Sequence, residues 1–155
     1  MDETCFSKRK NNAGRVLPQQ WVFGGVCRET KEVFLYAVPN RTEKTLTECI
    51  KAKIKPGTTI ITDCFRSYRN IDKIQGYRFV HQTVNHSINF VDPITHAHTQ
   101  NIENRWALLK YKNKKRCGTH RSMIDSYLCE FIWRTKHIGD DHFSCILSDL
   151  ANVDI

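Results

Sequence analysis

The stretch TTIITD, Thr58-Thr59-Ile60-Ile61-Thr62-Asp63, decides how the rest of the chain is read. Five consecutive β-branched residues favour the extended backbone and read as a strand buried on both faces, in the middle of a parallel sheet. The aspartate that ends it has two uses. It can open an Asx-turn through Asp63-Cys64-Phe65-Arg66-Ser67, or it can be held at the sheet edge for chemistry. Taken alone, the residues favour the turn.

Upstream of this strand, Leu46, Ile50 and Ile54 repeat at helical spacing, behind a capping box formed by Asn40 and Glu43. Pro56-Gly57 ends that helix. A helix between two strands implies a crossover and a parallel pairing. Further upstream, Gln20–Cys27 and Glu32–Val38 read as a hairpin around Arg28-Glu29-Thr30-Lys31. Downstream, Tyr77–His81 reads as a short strand, and residues 82–99 have no period and read as a long loop. A helix is predicted from Thr99, with Ile102, Trp106 and Leu109 as its apolar stripe, ending at Gly118. Another follows Ser122, burying Met123, Ile124, Tyr127, Leu128, Phe131 and Ile132, and ends at Gly139. Trp21, Trp106 and Trp133 read as core. The tail beyond carries no signal, so the division is one domain over 1–137 and a C-terminal tail over 138–155.

The 155 residues, 40% hydrophobic and 26% charged, fit one soluble globular domain. No apolar run approaches the roughly 18 residues of a membrane span, and no secretory leader is visible, so no membrane partner is expected. The net charge of +8 is clustered, at Lys8-Arg9-Lys10 and again at Lys110, Lys112, Lys114, Lys115, Arg116 and Arg121. A clustered basic excess points to a polyanion, nucleic acid first, or to a solvated helix end. The seven cysteines form no C-x-x-C pair and several fall in apolar stretches. They read as reduced intracellular thiols, with neither a disulfide framework nor a structural zinc site expected.

Three carboxylates are candidates for metal chemistry. Asp63 closes the strand. Glu103 lies beside the Ile102 stripe of its helix, where it can reach the sheet edge; otherwise it is a favourable charge in a first helical turn. Asp2, next to Glu3, joins them if a strand runs through residues 1–6; otherwise it is a solvated terminus. Converging carboxylates suit Mg²⁺, and two such ions about 3.5–4 Å apart can drive phosphodiester chemistry.

The segments MDETCFSKRK (1–10), QWVFGGV (20–26), ITDCFRSY (61–68) and VNHSINFVDPITHAHTQNIENRWALLK (84–110) resemble, in order and spacing, the catalytic domain of DDE transposases of the Merlin superfamily, relatives of bacterial insertion-sequence transposases. The resemblance covers roughly residues 2–135. It implies an α/β, RNase H-like mixed sheet flanked by helices. It also implies DNA strand cleavage and transfer with two Mg²⁺ or Mn²⁺ ions, and DNA ends and target as partners. The family's acidic residues match Asp2, Asp63 and Glu103, as catalytic residues and metal ligands. Lys8, Arg9, Lys10, Lys110, Lys112, Lys114, Lys115, Arg116 and Arg121 become the DNA-binding set. His86 and His98 become accessory candidates for a phosphate or a metal-bound water. A homodimer on DNA is implied by the family, in the nucleus of a eukaryotic host and otherwise in the cytoplasm. Only Met1 precedes Asp2, where the family has several strand residues, so the first strand is expected to be truncated and the chain is also readable as an inactive fragment. A non-catalytic nucleic-acid-binding protein derived from a transposase and an RNase H-like nuclease remain as alternatives.

Overall fold

The computed structural model describes residues 1–6, 19–86 and 97–153. Strands β1 (Asp2–Cys5), β2 (Trp21–Val26) and β3 (Val33–Val38) form an antiparallel sheet in the order β1-β2-β3. The β2–β3 hairpin is the one read from the sequence, with Trp21 opposite Val38 and Val26 opposite Val33. Helix α1 (Glu43–Lys53) then carries the chain to β4 (Thr59–Asp63), which pairs in parallel with β5 (Val80–Val84). Helices α2 (Gln100–Lys115), α3 (Ile124–Lys136) and α4 (His142–Ala151) complete the described chain.

The crossover expected from the sequence is present, but it does not pair β4 with β3. It takes the chain from the far edge of the first sheet to the opposite side of β1. There the Met1 amino group donates to the Ile61 carbonyl at 2.6 Å, so the start of β1 abuts β4. The strand buried on both faces is β2, not β4. In β2 the residues Val22, Phe23, Gly24 and Gly25 are all buried, whereas β4 alternates, with Ile60 and Thr62 inside and Ile61 and Asp63 half-buried. Thr62 satisfies its buried hydroxyl with the Asp63 carbonyl at 2.7 Å and His81 Nε2 at 2.9 Å.

Each face of the sheet has its own core. Val22 points with Leu35 into a cluster of Ile102, Trp106, Leu109, Leu128 and Phe131 from α2 and α3. Its neighbour Phe23 points the other way, with Val38, Leu46, Ile50, Ile60 and Tyr68. The alternation of side chains along a strand thus places helices on both faces of a mixed α/β architecture.

Three local readings change. The α1 N-cap is Thr42, which accepts from the Thr45 N–H, while Asn40 accepts from Thr42 just outside it. Strand β5 starts at Val80 rather than Tyr77. The tail read as featureless carries α4. Trp133 is half-buried at the end of α3, and its indole donates to Asp149 Oδ2 of α4 at 2.6 Å, so it is not a core residue. Among the described residues no helix is long and apolar enough to cross a membrane. All seven cysteines are free.

Candidate functional site

Asp2 begins β1 directly opposite Gly24. A Cβ on Gly24 would lie 2.8 Å from the Trp106 ring, 2.6 Å from Leu35 Cδ2 and 2.8 Å from the Phe34 carbonyl. The missing side chain therefore lets the indole of α2 lie against the sheet. From there Trp106 Nε1 donates to Asp2 Oδ2 at 3.0 Å. Trp106, read from the sequence as core, is core and a carboxylate partner at once. Gly24→Ala should cost about 2–3 kcal/mol through overpacking and lower the melting temperature by roughly 5–10 °C. A thermal melt checks this; a wild-type Tm would mean the indole can move aside freely.

Asp63 sits at the end of β4, and its Oδ1 accepts from the Phe65 N–H at 3.0 Å. The Asx-turn and the sheet-edge carboxylate are therefore the same residue. Glu103 lies in the first turn of α2, one turn before Trp106 and half-exposed. Its Oε1 accepts from Thr99 Oγ1 at 2.5 Å and lies 3.6 Å from His86 Nε2. Asp2 also takes a hydrogen bond from the Glu3 backbone. The three carboxylates do not close on one another: the described His, Cys, Asp or Glu trio with ligand atoms all within 4.8 Å is His137, Asp140 and Cys145, far along the chain.

The electrostatics of the sheet end are strained in one sense. Burial, then the charge of Glu3, then that of Asp63, raise the Asp2 carboxyl from the ordinary 3.8 to about 6, against the Trp106 hydrogen bond. Glu3 is raised as well, by burial and by Asp63, although Tyr68 and Arg41 oppose the shift. Like charges in a half-dry site favour a cation between them.

Glu3 is the residue the sequence reading passed over. Its side chain is only 4% exposed. It accepts from the buried Tyr68 hydroxyl and, at 3.2 Å, from Arg41. Arg41 lies 3.9 Å above the Trp21 ring and 4.8 Å from the Phe65 ring, so it grips the turn that Asp63 opens. Glu3, Arg41 and Tyr68 thus tie β1 to the segment after β4. The adjacency of Glu3 to Asp2 was the available signal; its partners, 38 and 65 residues away, gave none.

The histidines divide. His86 Nε2 shares the Thr99 hydroxyl with Glu103, at 2.8 Å. The His98 carbonyl accepts from Arg28 at 2.7 Å, and its ring Nδ1 is buried without a partner among the described residues. Burial and Arg28 lower the His98 pKa, which keeps the ring neutral.

The basic set divides too. Lys110, Lys114 and Lys115 are exposed on α2, and Arg121 is exposed before α3. Lys112 instead lies over the Phe131 ring at 5.3 Å. Arg116 lies over Tyr127 at 3.8 Å and pairs with Glu130 at 3.5 Å. These two spend their stems and charges on α3. Lys8, Arg9 and Lys10 lie outside the described residues.

The sequence profile of the ISXO2-like transposase domain matches residues 3–136. A transposase-like protein of Haemophilus influenzae is 34% identical over 103 residues, which are 66% of this chain and 80% of that one. A chain of the simian T-cell lymphotropic virus intasome, solved by cryo-EM in complex with PP2A regulatory subunit B56 gamma, superposes with a TM-score of 0.54 at 14% identity. That match covers 86% of this chain and 46% of the other, less than half its length, and it speaks for the fold alone.

Proposed function

The chain belongs to the ISXO2-like transposase domain family, and from that premise we propose that it is an RNase H-like catalytic domain that cuts and joins DNA. The motif resemblance to the Merlin superfamily is the finer form of the same reading. One observation carries it. The start of β1 abuts β4, which puts the charges of Asp2 and Asp63 in reach of each other, and Trp106 binds Asp2 one helical turn from Glu103.

The donor set fits Mg²⁺ or Mn²⁺. It is all carboxylate, and Asp2 is raised by the like charges of Glu3 and Asp63 beside it. Asp2, Asp63 and Glu103 would hold the ions. When bound, such ions activate a water or a 3′-hydroxyl and stabilise the leaving oxygen of a phosphodiester. The chain's own residues do the rest. Trp106 fixes one Asp2 oxygen. The Phe65 N–H does the same for Asp63. Thr99 and His86 hold Glu103 in place. Lys110, Lys114, Lys115 and Arg121 form a positive surface for the phosphate backbone, and two copies on DNA would serve two DNA ends.

The test is thermal melting with Mg²⁺ or Mn²⁺. An ion at a hundred times its Kd stabilises by about 2.7 kcal/mol, roughly 5–10 °C for a chain of this size. We expect that shift in the wild type and its absence in Asp63→Ala and Glu103→Ala. An equal shift in all three proteins would remove the carboxylates from the metal site.

A further inference from the structure

Helix α4 is ten residues long and buries none of its side chains. Phe143, Ile146, Leu147 and Leu150 are all exposed. A helix of that length is marginal in water by itself. Its links to α3 run through Trp133, whose indole donates to Asp149 near the far end of α4 and whose ring lies 5.5 Å from that of His142, and through His142 Nε2, 3.1 Å from the His137 carbonyl.

At the turn between α3 and α4 three donors of different chemistry meet. His137 caps the end of α3, Asp140 lies in the turn, and Cys145 ends the first turn of α4. One ligand atom from each falls within 4.8 Å of the other two. His137 Nδ1 and Asp140 Oδ2 are 3.3 Å apart. In a tetrahedral zinc site with metal–ligand bonds of about 2.0–2.2 Å, nitrogen and oxygen ligands sit about 3.3 Å from each other, so this edge is already at its bound length. The remaining edges lie within 4.8 Å, so a closure of about 1 Å toward Cys145 brings them to bound length.

The donor set selects the metal. Imidazole, carboxylate and thiolate together suit a borderline ion, whereas Mg²⁺ and Ca²⁺ prefer oxygen alone. Cysteine spacing alone could not show this site, because its pattern is H-x₂-D-x₄-C with a single thiol.

We propose that His137, Asp140 and Cys145 form a zinc site that fastens α4 to the end of α3, with a fourth position left for water. It lies beyond residues 3–136, the span of the family match, and is independent of the carboxylates at the sheet. Its role is to fix the direction in which α4 presents its apolar side chains.

The experiment is titration of the full chain with Co²⁺ as a spectroscopic stand-in for zinc, under reducing conditions, followed by competition with Zn²⁺. We expect one equivalent to give a thiolate charge-transfer band and to quench Trp133, whose ring is 4.7 Å from that of His137. Cys145→Ser and Asp140→Asn should each weaken binding at least tenfold. Cys129→Ser, an exposed thiol on α3, should not. Asp63→Ala should also leave the signal intact, which separates this site from the proposed catalytic one. Absence of a one-to-one complex, wild-type affinity in Cys145→Ser, or loss of the band in Asp63→Ala would each overturn the proposal.

Discussion

Asp63→Ala abolishes metal-dependent DNA strand transfer while leaving DNA binding intact: that is the expected result with the largest effect. Asp63 ends β4, its Oδ1 is held by the Phe65 N–H, and its charge is felt by both Asp2 and Glu3. A metal ion contributes several kcal/mol of charge stabilisation in phosphoryl chemistry, and about 4 kcal/mol corresponds to about a thousandfold in rate. A fall of three orders of magnitude or more in joined product, at saturating Mn²⁺, is therefore expected. Binding should follow different residues. Each phosphate neutralised on duplex DNA contributes about 0.9 to the salt slope. Changing Lys110, Lys114 and Lys115 together to Ala should flatten that slope by about 3, and Asp63→Ala should leave it alone. The product assay also decides between chemistries, since hydrolysis without joining would make the chain a nuclease. Transfer by Asp63→Ala at the wild-type rate would refute the assignment. Steep salt-dependent binding with no catalysis in the wild type would leave a nucleic-acid-binding protein.

What the sequence showed and what it hid follow the range of the interactions. The three helices α1, α2 and α3 were legible because their stripes repeat every three or four residues, and the β2–β3 hairpin because its turn is local. The order of strands was not. It depends on Met1 meeting Ile61, 60 residues apart, and no local pattern encodes that contact. An apolar run such as TTIITD cannot say whether it is covered on two faces or one, so β4 was read as the doubly buried strand where β2 is. Helix α4 is a different case: Phe143, Ile146, Leu147 and Leu150 carry the helical period, and the signal was there to be read. At the site, Asp2, Asp63 and Glu103 came from motif and spacing. Glu3, Arg41 and Tyr68 hold the frame around them and could be found only from the fold. Lys112 and Arg116 counted as free charge in the sequence, because charge does not reveal that a long side chain lies on a neighbouring ring.

Glu3→Ala should lower stability strongly while leaving all three proposed ligands in place. It strands the Tyr68 hydroxyl, whose residue is wholly buried, and frees Arg41 from its anchor between Trp21 and Phe65. An orphaned buried hydroxyl and a lost charge-assisted bond together cost about 3 kcal/mol, or roughly 6–12 °C in melting temperature. Glu3→Gln should behave differently. Its amide can still accept from Arg41 and face Tyr68, so it should lose less than half as much. The pH dependence sharpens the contrast. The Glu3 and Asp2 carboxyls both titrate higher in the folded chain than their ordinary values, Asp2 at about 6 against 3.8. Between those values the folded state holds protons that the unfolded state has released. The Asp2 contribution is therefore complete below the ordinary carboxyl range and is lost as pH rises through about 6, and that of Glu3 declines with rising pH in the same direction. Without divalent ions, these two groups should make the wild type melt lower at pH 7 than at pH 5, and Glu3→Gln should show a shallower fall because one of them is gone. Urea unfolding at the two pH values measures both effects. A Glu3→Ala protein within about 0.5 kcal/mol of wild type, the range of an ordinary surface change, would show that the network does not hold β1 against the segment after β4.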